Sequence, residues 1–405
     1  MDKFYKDSYK ILIAILLLVL LFLFRFESPI IDKISNYGSV IILILGIFLI
    51  VSSIRLGIVS RLGKEVQQIM TFWFITAGWM LIVPIIFFNY KFNAEVFYQG
   101  MFHDYRYIVF SILPFFFITN DIQVYYEKIL KYSSWVALFF GIIAIIIVDK
   151  SFSSVASRDS TTSLSYFYWW LVTMLFPYWF LRFYYLGKDK VGLFLLLINV
   201  VLSIFFLKRS GFLNTLLIMA LAFITSKFNF RSLVFIIISL VGFLGIIYFY
   251  LDLFELLLFR FFGEVDDLED WDRNLEIKEF FDNVKNFELF TGFGVNNYLN
   301  MLYVGQTEEG VNSLHIGIYN IVYKGGLLYS IFMIYLAVKI LSLFKYISQN
   351  IEIKIAFVIG VYSMIGLFYE GGWSYLPSVF FIMLPIFRGI YLKDKLLNEK
   401  NYKRK

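Results

Sequence analysis

Long apolar runs alternate with short polar links over most of the chain. The runs at 69–88 and 232–251, for example, contain no charged residue. A helix of about 20 apolar residues spans the roughly 30 Å hydrocarbon layer of a membrane, whereas the helices of a large soluble protein need a polar face. The pattern therefore predicts an all-α polytopic membrane protein.

The spacing of the apolar runs predicts about 12 transmembrane helices, some of them short enough to require tilt or partial burial in the bundle. Nine of them lie in a first group at 1–251, which a long polar loop at 252–312 follows. Three more lie at 313–392, before a basic tail at 393–405. The predicted spans are 9–26, 37–54, 69–88, 106–119, 132–148, 164–181, 191–207, 211–226, 232–251, 314–343, 355–370 and 375–392.

The distribution of Lys and Arg predicts the orientation of these spans. With a cytoplasmic N-terminus, the inner segments carry 23 of the 36 Lys and Arg residues and the outer segments carry 12. Cytoplasmic loops are enriched in these residues, so we predict that both termini lie in the cytoplasm and that the polar loop lies outside. The same topology accounts for the net charge of +6, which we therefore do not interpret as a sign of nucleic-acid binding.

The polar loop is acidic, with 14 Asp and Glu residues against four Lys and Arg. Most of these carboxylates are interpreted as a solvated surface, so an arginine among them is a candidate site for an anion. The segment 271–284 is predicted to form a short amphipathic helix on the membrane-embedded body. Its apolar stripe consists of Leu275, Phe280, Phe281 and Val284.

A tight turn is predicted after this helix, in the sequence Thr291-Gly-Phe-Gly-Val. Gly292 and Gly294 allow backbone conformations that other residues avoid, and they let the backbone approach a neighbouring group closely. Both glycines are therefore candidate substrate-binding residues.

Two cations, Lys208 and Arg209, lie in the short connection between two predicted spans, at the outer face in this topology. Unpaired cations in the membrane interface are costly, so one interpretation is that they reach lipid headgroup phosphates. The other is a phosphate or pyrophosphate site, in which Gly211 allows close backbone approach and the N-terminus of the next helix adds its dipole.

His315, at the outer end of a predicted span, is the leading candidate for a base. An imidazole, with an ordinary pKa of about 6.5, is suited to proton transfer. Lys324 lies further into the same span, and an intramembrane lysine is expected to pair with a carboxylate. Glu370, at the outer end of the next span, is one such partner and a reserve base, although a structural ion pair is an equal interpretation. His103, in another outer loop, is a weaker candidate.

No metal or nucleotide site is predicted. Acidic runs such as 266–270 lack the glycine and the spacing of a calcium loop, and no other group of His, Asp and Glu has the spacing of metal ligands. Neither the phosphate-binding loop motif nor the dinucleotide-binding glycine motif occurs in the sequence. The chain has no cysteine, which excludes a thiolate nucleophile. We therefore expect a protein that uses no cofactor.

Taken in order, these features resemble the bacterial O-antigen polymerase and O-antigen ligase superfamily of polysaccharide-assembling membrane glycosyltransferases. Three features are similar to that family: the number of spans, Arg209 in the outer connection FLKRSG, and one large outer loop late in the chain. The loop resembles the family's run of arginine, amphipathic helix and Gly-x-Gly. In this sequence the run consists of Arg260, then Arg273 in WDRNLEIKEFF, then TGFGVNNY. His315 at the start of the return span resembles its histidine-then-glycine motif. These motifs fall within residues 190–345.

The resemblance implies a donor in which a sugar chain is linked through pyrophosphate to undecaprenyl lipid, at the outer face of the bacterial cytoplasmic membrane. It implies that Arg209 and Arg273 hold the pyrophosphate, whose negative charge grows as it leaves. His315 would orient or deprotonate the acceptor hydroxyl, with inversion at the anomeric carbon. Arg260 is either a second donor to the phosphates or a structural pair within the acidic loop. The predicted substrate-binding residues are Lys208, Arg260, Gly292, Gly294, Lys324 and Glu370.

The single large outer loop favours a polymerase, which joins a growing chain to a new lipid-linked repeat unit. The alternative is a ligase, which moves the finished glycan to lipid A–core or another acceptor. A lipid-linked oligosaccharide flippase or transporter is the chief rival, and it is expected to have broken or polar helices near the membrane midplane. Besides the bilayer and the lipid-linked donor, a chain-length regulator is a candidate partner.

Overall fold

The computed structural model describes residues 51, 54, 57–87, 112–120, 123–147, 160–206, 209–226, 277–278, 280–282, 284–294, 316–369 and 380–404. Within these ranges the regular elements are helices and no strand occurs. The α-helices are α1 (Ile58–Arg61), α2 (Lys64–Phe87), α3 (Gln123–Ile147), α4 (Ser160–Leu186), α5 (Val191–Phe205), α6 (Arg209–Thr225), α7 (Asn286–Thr291), α8 (Gly317–Ser342), α9 (Ile351–Gly366) and α10 (Phe380–Arg404). Short 3₁₀ helices lie at Leu113–Phe116 and Leu343–Tyr346.

Three helices are long and apolar enough to cross a membrane, by length and composition: α2, α3, and α8 with the 3₁₀ turn that follows it. Helices α5 and α6 are apolar but shorter. Large apolar side chains are exposed on these helices, such as Ile85 (65%), Ile146 (73%) and Ile334 (64%). Such faces are unfavourable in water and ordinary in lipid. The prediction of an all-α fold is thus confirmed for the described residues, and the apolar helices indicate a membrane protein.

Most described helices coincide with predicted spans. The spans at 69–88, 132–148, 164–181, 191–207 and 211–226 correspond to α2 to α6, and those at 314–343, 355–370 and 375–392 correspond to α8 to α10. The spans at 9–26 and 232–251, and all but residues 51 and 54 of the span at 37–54, lie outside the described residues. The full number of spans stays a prediction.

The predicted span at 106–119 differs from the structure in its described part. Residues Leu113–Phe116 form a 3₁₀ helix with Pro114 at its start, not the last turn of a membrane helix. Proline removes a backbone donor and disfavours an α-helical residue before it, which explains the change. The segment is buried, and the Phe115 ring stacks on Phe387 of α10 at 4.2 Å between ring centroids.

The bundle is organised around contacts between neighbouring helices. Helix α4 packs on α3 and α5, α9 packs on α10 and α6, and α8 packs on α2. Large aromatic side chains fill the interior, where the rings of Trp73 and Phe332 lie 5.2 Å apart between α2 and α8. The long apolar helices α2, α3 and α8 thus bury one part of their surface in the bundle and leave another part exposed.

A cluster of charged side chains joins α2, α8 and α10 at one end of the bundle. The Glu65 carboxylate lies 3.5 Å from Lys339 Nζ and 2.5 Å from Lys393 Nζ. Asp394 accepts a hydrogen bond from the amide N–H of Glu65 at 3.1 Å, in the first turn of α2, where backbone donors lack helical partners. We call this the ionic end, defined by Glu65, Lys339, Lys393 and Asp394.

Helix α10 continues without a break through residue 393, where the predicted basic tail begins. Lys393 and Asp394 are buried, because both take part in the contacts of the ionic end. The first residues of the predicted tail therefore belong to the packed bundle.

Candidate functional site

The starts of α6 and α8 and the end of α9 meet at the end of the bundle opposite the ionic end. The amide N–H of Ile318, at the start of α8, donates a hydrogen bond to the carbonyl oxygen of Leu367, at the end of α9 (3.1 Å). The Tyr369 hydroxyl, just beyond α9, donates to Asn214 Oδ1 in α6 at 2.5 Å. The starts of α6 and α8 therefore both lie beside the end of α9.

Three candidate residues adjoin these contacts in sequence. Helix α6 begins at Arg209, so the N-terminus of a helix adjoins this residue in the chain, as predicted. His315 comes directly before Ile316, which precedes α8, and Glu370 directly follows Tyr369.

The Gly-Phe-Gly turn at 292–294 docks against α8 through its backbone. The amide N–H of Phe293 donates to the carbonyl oxygen of Tyr323 at 2.7 Å, and the amide N–H of Gly294 donates to that of Lys324 at 2.9 Å. The Trp79 indole of α2 donates to the carbonyl oxygen of Thr291 at 2.8 Å. The polar loop is thus attached to two membrane helices.

Helix α8 is broken at the point where this turn docks. Gly326 has φ 55° and ψ −142°, which is not helical. In a continuous helix the carbonyls of Tyr323 and Lys324 would accept from amides four residues further on. The break removes that geometry, and the turn supplies replacement donors. A broken helix within a membrane region requires such partners for its backbone groups.

Close backbone packing explains the glycines at this contact. A Cβ atom on Gly292 would lie 2.5 Å from the amide nitrogen of Gly326, and one on Gly326 would lie 2.3 Å from the Phe290 carbonyl oxygen. A Cβ atom on Gly294 would lie 2.4 Å from Pro84 of α2. Both glycines of the turn also have positive φ. The predicted close backbone approach is confirmed, and the group that the backbone approaches is the helix bundle itself.

This arrangement gives Gly292 and Gly294 a packing role in the described structure. The amides of residues 292, 293 and 294 all donate to backbone carbonyls, those of Glu288, Tyr323 and Lys324. The last two of these bonds hold the loop on α8, and the first closes the end of α7. Direct contact of these glycines with a substrate stays a prediction.

A small aromatic cluster supports the docked turn. Phe280, Phe293 and Tyr323 are buried together, with the Phe293 and Tyr323 rings stacked at 5.1 Å. The described residues of 277–282 are helical, in agreement with the predicted amphipathic helix. Phe281, which was predicted on the buried stripe, is instead 49% exposed. Adjacent residues of a helix point in directions about 100° apart, so Phe280 and Phe281 do not share one face.

Helix α7 was not predicted, although its sequence contains a signal. The Glu288 carboxylate accepts a hydrogen bond from the amide N–H of Lys285 at 2.8 Å. An acidic residue three positions after the start of a helix is typical of such capping. The short helix leads the chain directly into the docked turn.

The helix break lies far from the ionic end. Gly326 and Lys339 are about 20 Å apart along α8 at roughly 1.5 Å per residue. Met80, beside Gly325 across the helix contact, lies about 22 Å from Glu65 along α2 by the same rise. If the ionic end marks one edge of a hydrocarbon layer about 30 Å thick, the break lies in the third nearest the opposite edge.

Lys324 is located at this break and is 4% exposed. Its ammonium nitrogen lies 5.5 Å from the centroid of the Tyr323 ring. Lys324 thus lies within the helix that corresponds to the predicted span, and its burial is a finding of the structure. The predicted pairing with Glu370 stays a prediction because residue 370 lies outside the described residues.

The other candidate residues lie outside the part of the chain that the structure describes, and for Arg209 only the backbone is described. Among the described side chains, no group of three or more His, Asp or Glu could hold a metal ion. Both histidines and most of the acidic loop lie elsewhere in the chain. The candidates outside the described residues are Lys208, Arg260, Arg273, His315, Glu370 and His103.

Comparison with known proteins adds no family assignment. No protein-family model matches the sequence, and no curated protein matches it either. The interpretation of function therefore depends on the residues of this chain and on their arrangement.

Proposed function

We propose that this chain is a membrane glycosyltransferase that polymerises undecaprenyl-pyrophosphate-linked oligosaccharide repeat units at the outer face of a bacterial cytoplasmic membrane. The observation that carries the proposal is the convergence at one end of the bundle. The start of α6 at Arg209, the start of α8 after His315 and the end of α9 before Glu370 lie side by side. The docked turn joins the polar loop, whose sequence contains the candidate arginines, to α8 and α2.

Charge supports the proposed orientation. The ionic end contains Lys339 and Lys393. Lys354 lies in the first turn of α9, and Arg388 of α10 pairs there with Glu352 at 3.1 Å. Cytoplasmic ends of membrane helices are enriched in such residues. In this orientation, the convergence of α6, α8 and α9 lies at the outer face, where a lipid-linked donor would present its pyrophosphate and sugars.

The proposed reaction is a direct displacement. The acceptor hydroxyl oxygen forms a bond to the anomeric carbon of the donor sugar, while the bond from that carbon to the pyrophosphate oxygen breaks. The electron pair of the broken bond leaves with undecaprenyl pyrophosphate, and His315 accepts the hydroxyl proton. Configuration at the anomeric carbon is inverted.

Arg209 and Arg273 are proposed to stabilise the leaving pyrophosphate. Arginine presents several donors in a planar fork that matches phosphate oxygens. Because α6 begins at Arg209, the positive end of the helix dipole lies at this residue. Fixed positive groups of this kind stabilise charge that develops in the transition state without a metal ion.

Reconstitution tests the proposal. The purified protein in proteoliposomes, supplied with undecaprenyl-pyrophosphate-linked repeat units, is expected to produce glycans of many repeat lengths and to release undecaprenyl pyrophosphate for each bond formed. Transfer of preformed glycan to lipid A–core, without elongation, would identify a ligase instead. Folded protein that forms no glycosidic bond with either acceptor would contradict the proposal.

A transporter of lipid-linked oligosaccharide is the second candidate, because α8 is broken and broken helices form the substrate sites of many transporters. Those sites lie near the membrane midplane, whereas the break lies about 20 Å from Lys339 by helix rise, toward the opposite edge. A fluorescent lipid-linked oligosaccharide distinguishes the two. Movement between leaflets without bond formation would favour the transporter.

A further inference from the structure

A buried hydrogen-bond network lies behind the start of α6. Asn199 of α5 is fully buried, and its Nδ2 donates to the Thr215 hydroxyl at 2.9 Å and to the Gly211 carbonyl oxygen at 3.3 Å. Its Oδ1 lies 2.9 Å from the Thr173 hydroxyl of α4, which can donate to it. One side chain thus links α4, α5 and the first turns of α6.

Close packing restricts the same segment. The Ser203 hydroxyl of α5 donates to the Asn199 carbonyl oxygen at 2.5 Å. A Cβ atom on Gly211 would lie 2.2 Å from Ser203 Oγ and 2.5 Å from the Trp169 ring. The space at Gly211 is therefore filled by neighbouring helices. It is not left open for a ligand.

A second hydrogen bond connects α6 to the segment that follows α9. Asn214 is buried and accepts the hydrogen bond from the Tyr369 hydroxyl at the end of α9. Asn214 and Thr215 lie within about 9 Å of Arg209 along the helix, at roughly 1.5 Å per residue. The first turns of α6 are thus hydrogen-bonded to α5 through Thr215 and to the segment after α9 through Asn214.

A polar side chain buried among apolar helices requires an explanation, because an apolar residue of similar size would be buried there with a smaller free-energy cost. The other end of α6 offers a comparison. There the Thr225 hydroxyl bonds to Tyr185 of α4 at 2.5 Å, in a half-buried position. The fully buried hydrogen bonds among those described between α6 and another helix, which are those of Asn199, lie toward the end that begins at Arg209.

We infer that Asn199 and Tyr369 are positioning residues for the start of α6, and with it Arg209. Asn199 fixes this segment against α4 and α5, and Tyr369 fixes it against the end of α9. The effect on catalysis rests on the proposed function, in which Arg209 holds the donor pyrophosphate. The geometric effect does not depend on that function. Two experiments therefore test the two parts separately.

The first experiment measures geometry. The chain has no cysteine, so Ser210→Cys and Phe368→Cys introduce a single pair of spin labels at the start of α6 and the end of α9. In nanodiscs, Asn199→Leu and Tyr369→Phe are expected to broaden or shift the distance distribution between the labels. The control Thr225→Val, which removes the tie at the far end of α6, is expected to leave that distribution unchanged. An unchanged distribution in both Asn199→Leu and Tyr369→Phe would overturn the inference.

The second experiment measures polymer formation in the reconstituted system. Asn199→Leu is expected to lower the rate roughly ten- to a hundredfold, the scale of a small misplacement of a catalytic group. In an Arg209→Lys background the same substitution is expected to cost much less, because residues that act through one another are not additive. Equal losses in both backgrounds, or a wild-type rate in Asn199→Leu, would overturn the catalytic part of the inference.

The two hypotheses fail in different ways. If the wild-type protein forms no polymer, the proposed function fails, and the spin-label distances still decide whether Asn199 fixes α6. If the wild type forms polymer and the distances are unchanged, the proposed function stands and the positioning inference fails. Tyr369→Phe removes one hydroxyl and keeps the ring, so it provides the test even if Asn199→Leu does not fold.

Discussion

Gly294 donates its amide hydrogen to the carbonyl oxygen of Lys324 at 2.9 Å, and this bond joins the polar loop to the broken helix α8. The Lys324 carbonyl is available because Gly326 interrupts the helix. The loop is therefore built into the bundle in the first half of α8, a helix that begins two residues after His315.

Substitution of Gly292 tests the docking of the loop. Gly292→Ala places a Cβ atom against the backbone of Gly326 in a conformation that suits glycine, and we expect a cost of roughly 2–4 kcal/mol in stability. Gly187→Ala is the matched control, because Gly187 also has positive φ but open space around it; it should cost about 1 kcal/mol. Thermal denaturation and protease cleavage of the loop measure the difference. Equal behaviour of the two variants would show that the backbone contact does not hold the loop.

The ionic end is expected to contribute to stability. Glu65→Gln leaves the Lys393 ammonium, which is 4% exposed, without its carboxylate. We expect a loss of roughly 2–4 kcal/mol, somewhat less than for a fully buried pair because Glu65 is partly exposed. Glu399→Gln, which breaks an exposed pair with Lys395, should cost at most about 0.5 kcal/mol. Titration with SDS in mixed micelles would compare them, and a similar midpoint for both variants would contradict the prediction.

His315→Ala tests the proposed base. Loss of a general base lowers rates by roughly 10²–10⁴-fold, so polymer formation should fall by that factor while the amount of protein in the membrane is unchanged. His103→Ala, at the other histidine, should retain near-normal activity. If His315→Ala also keeps normal activity, the assignment is wrong, and Glu370→Gln becomes the next variant to measure.

Metal removal tests the metal-independent mechanism. Because the arginines are proposed to carry the charge stabilisation, a chelator should leave the rate of polymer formation by the purified protein unchanged. A clear loss that added Mg²⁺ or Ca²⁺ reverses would contradict this mechanism. It would direct attention to the acidic run at 266–270.

The sequence was sufficient to predict most helices that the structure describes. Apolar runs of membrane length predict α2, α3 and α8. The predicted and observed ends of the helices differ mainly because helices continue into polar sequence, as α10 does at Lys393. The predicted turn at 292–294 follows from the need for glycine at positive φ. Both predictions depend only on local sequence, so they could be made without knowledge of the contacts between distant segments.

The helix break and the network at Asn199 were not predicted, because both depend on contacts between distant segments. Two adjacent glycines in an apolar run fit either close packing or a broken helix, and only the donors of the docked turn make the break at Gly326 favourable. Asn199 carried a signal as a buried polar residue in an apolar span. Its partners Thr173 and Thr215 lie on other helices, so the sequence alone could not identify the network.

The rate of polymer formation by arginine variants tests the central claim most directly. In proteoliposomes supplied with undecaprenyl-pyrophosphate-linked repeat units, Arg209→Ala and Arg273→Ala should each lower the rate by at least about 10²-fold, the scale of losing one donor to developing negative charge. Arg61→Ala, an exposed arginine near the ionic end, should retain the wild-type rate. Long-chain polymer formed at a normal rate by the Arg209→Ala and Arg273→Ala double variant would contradict the account.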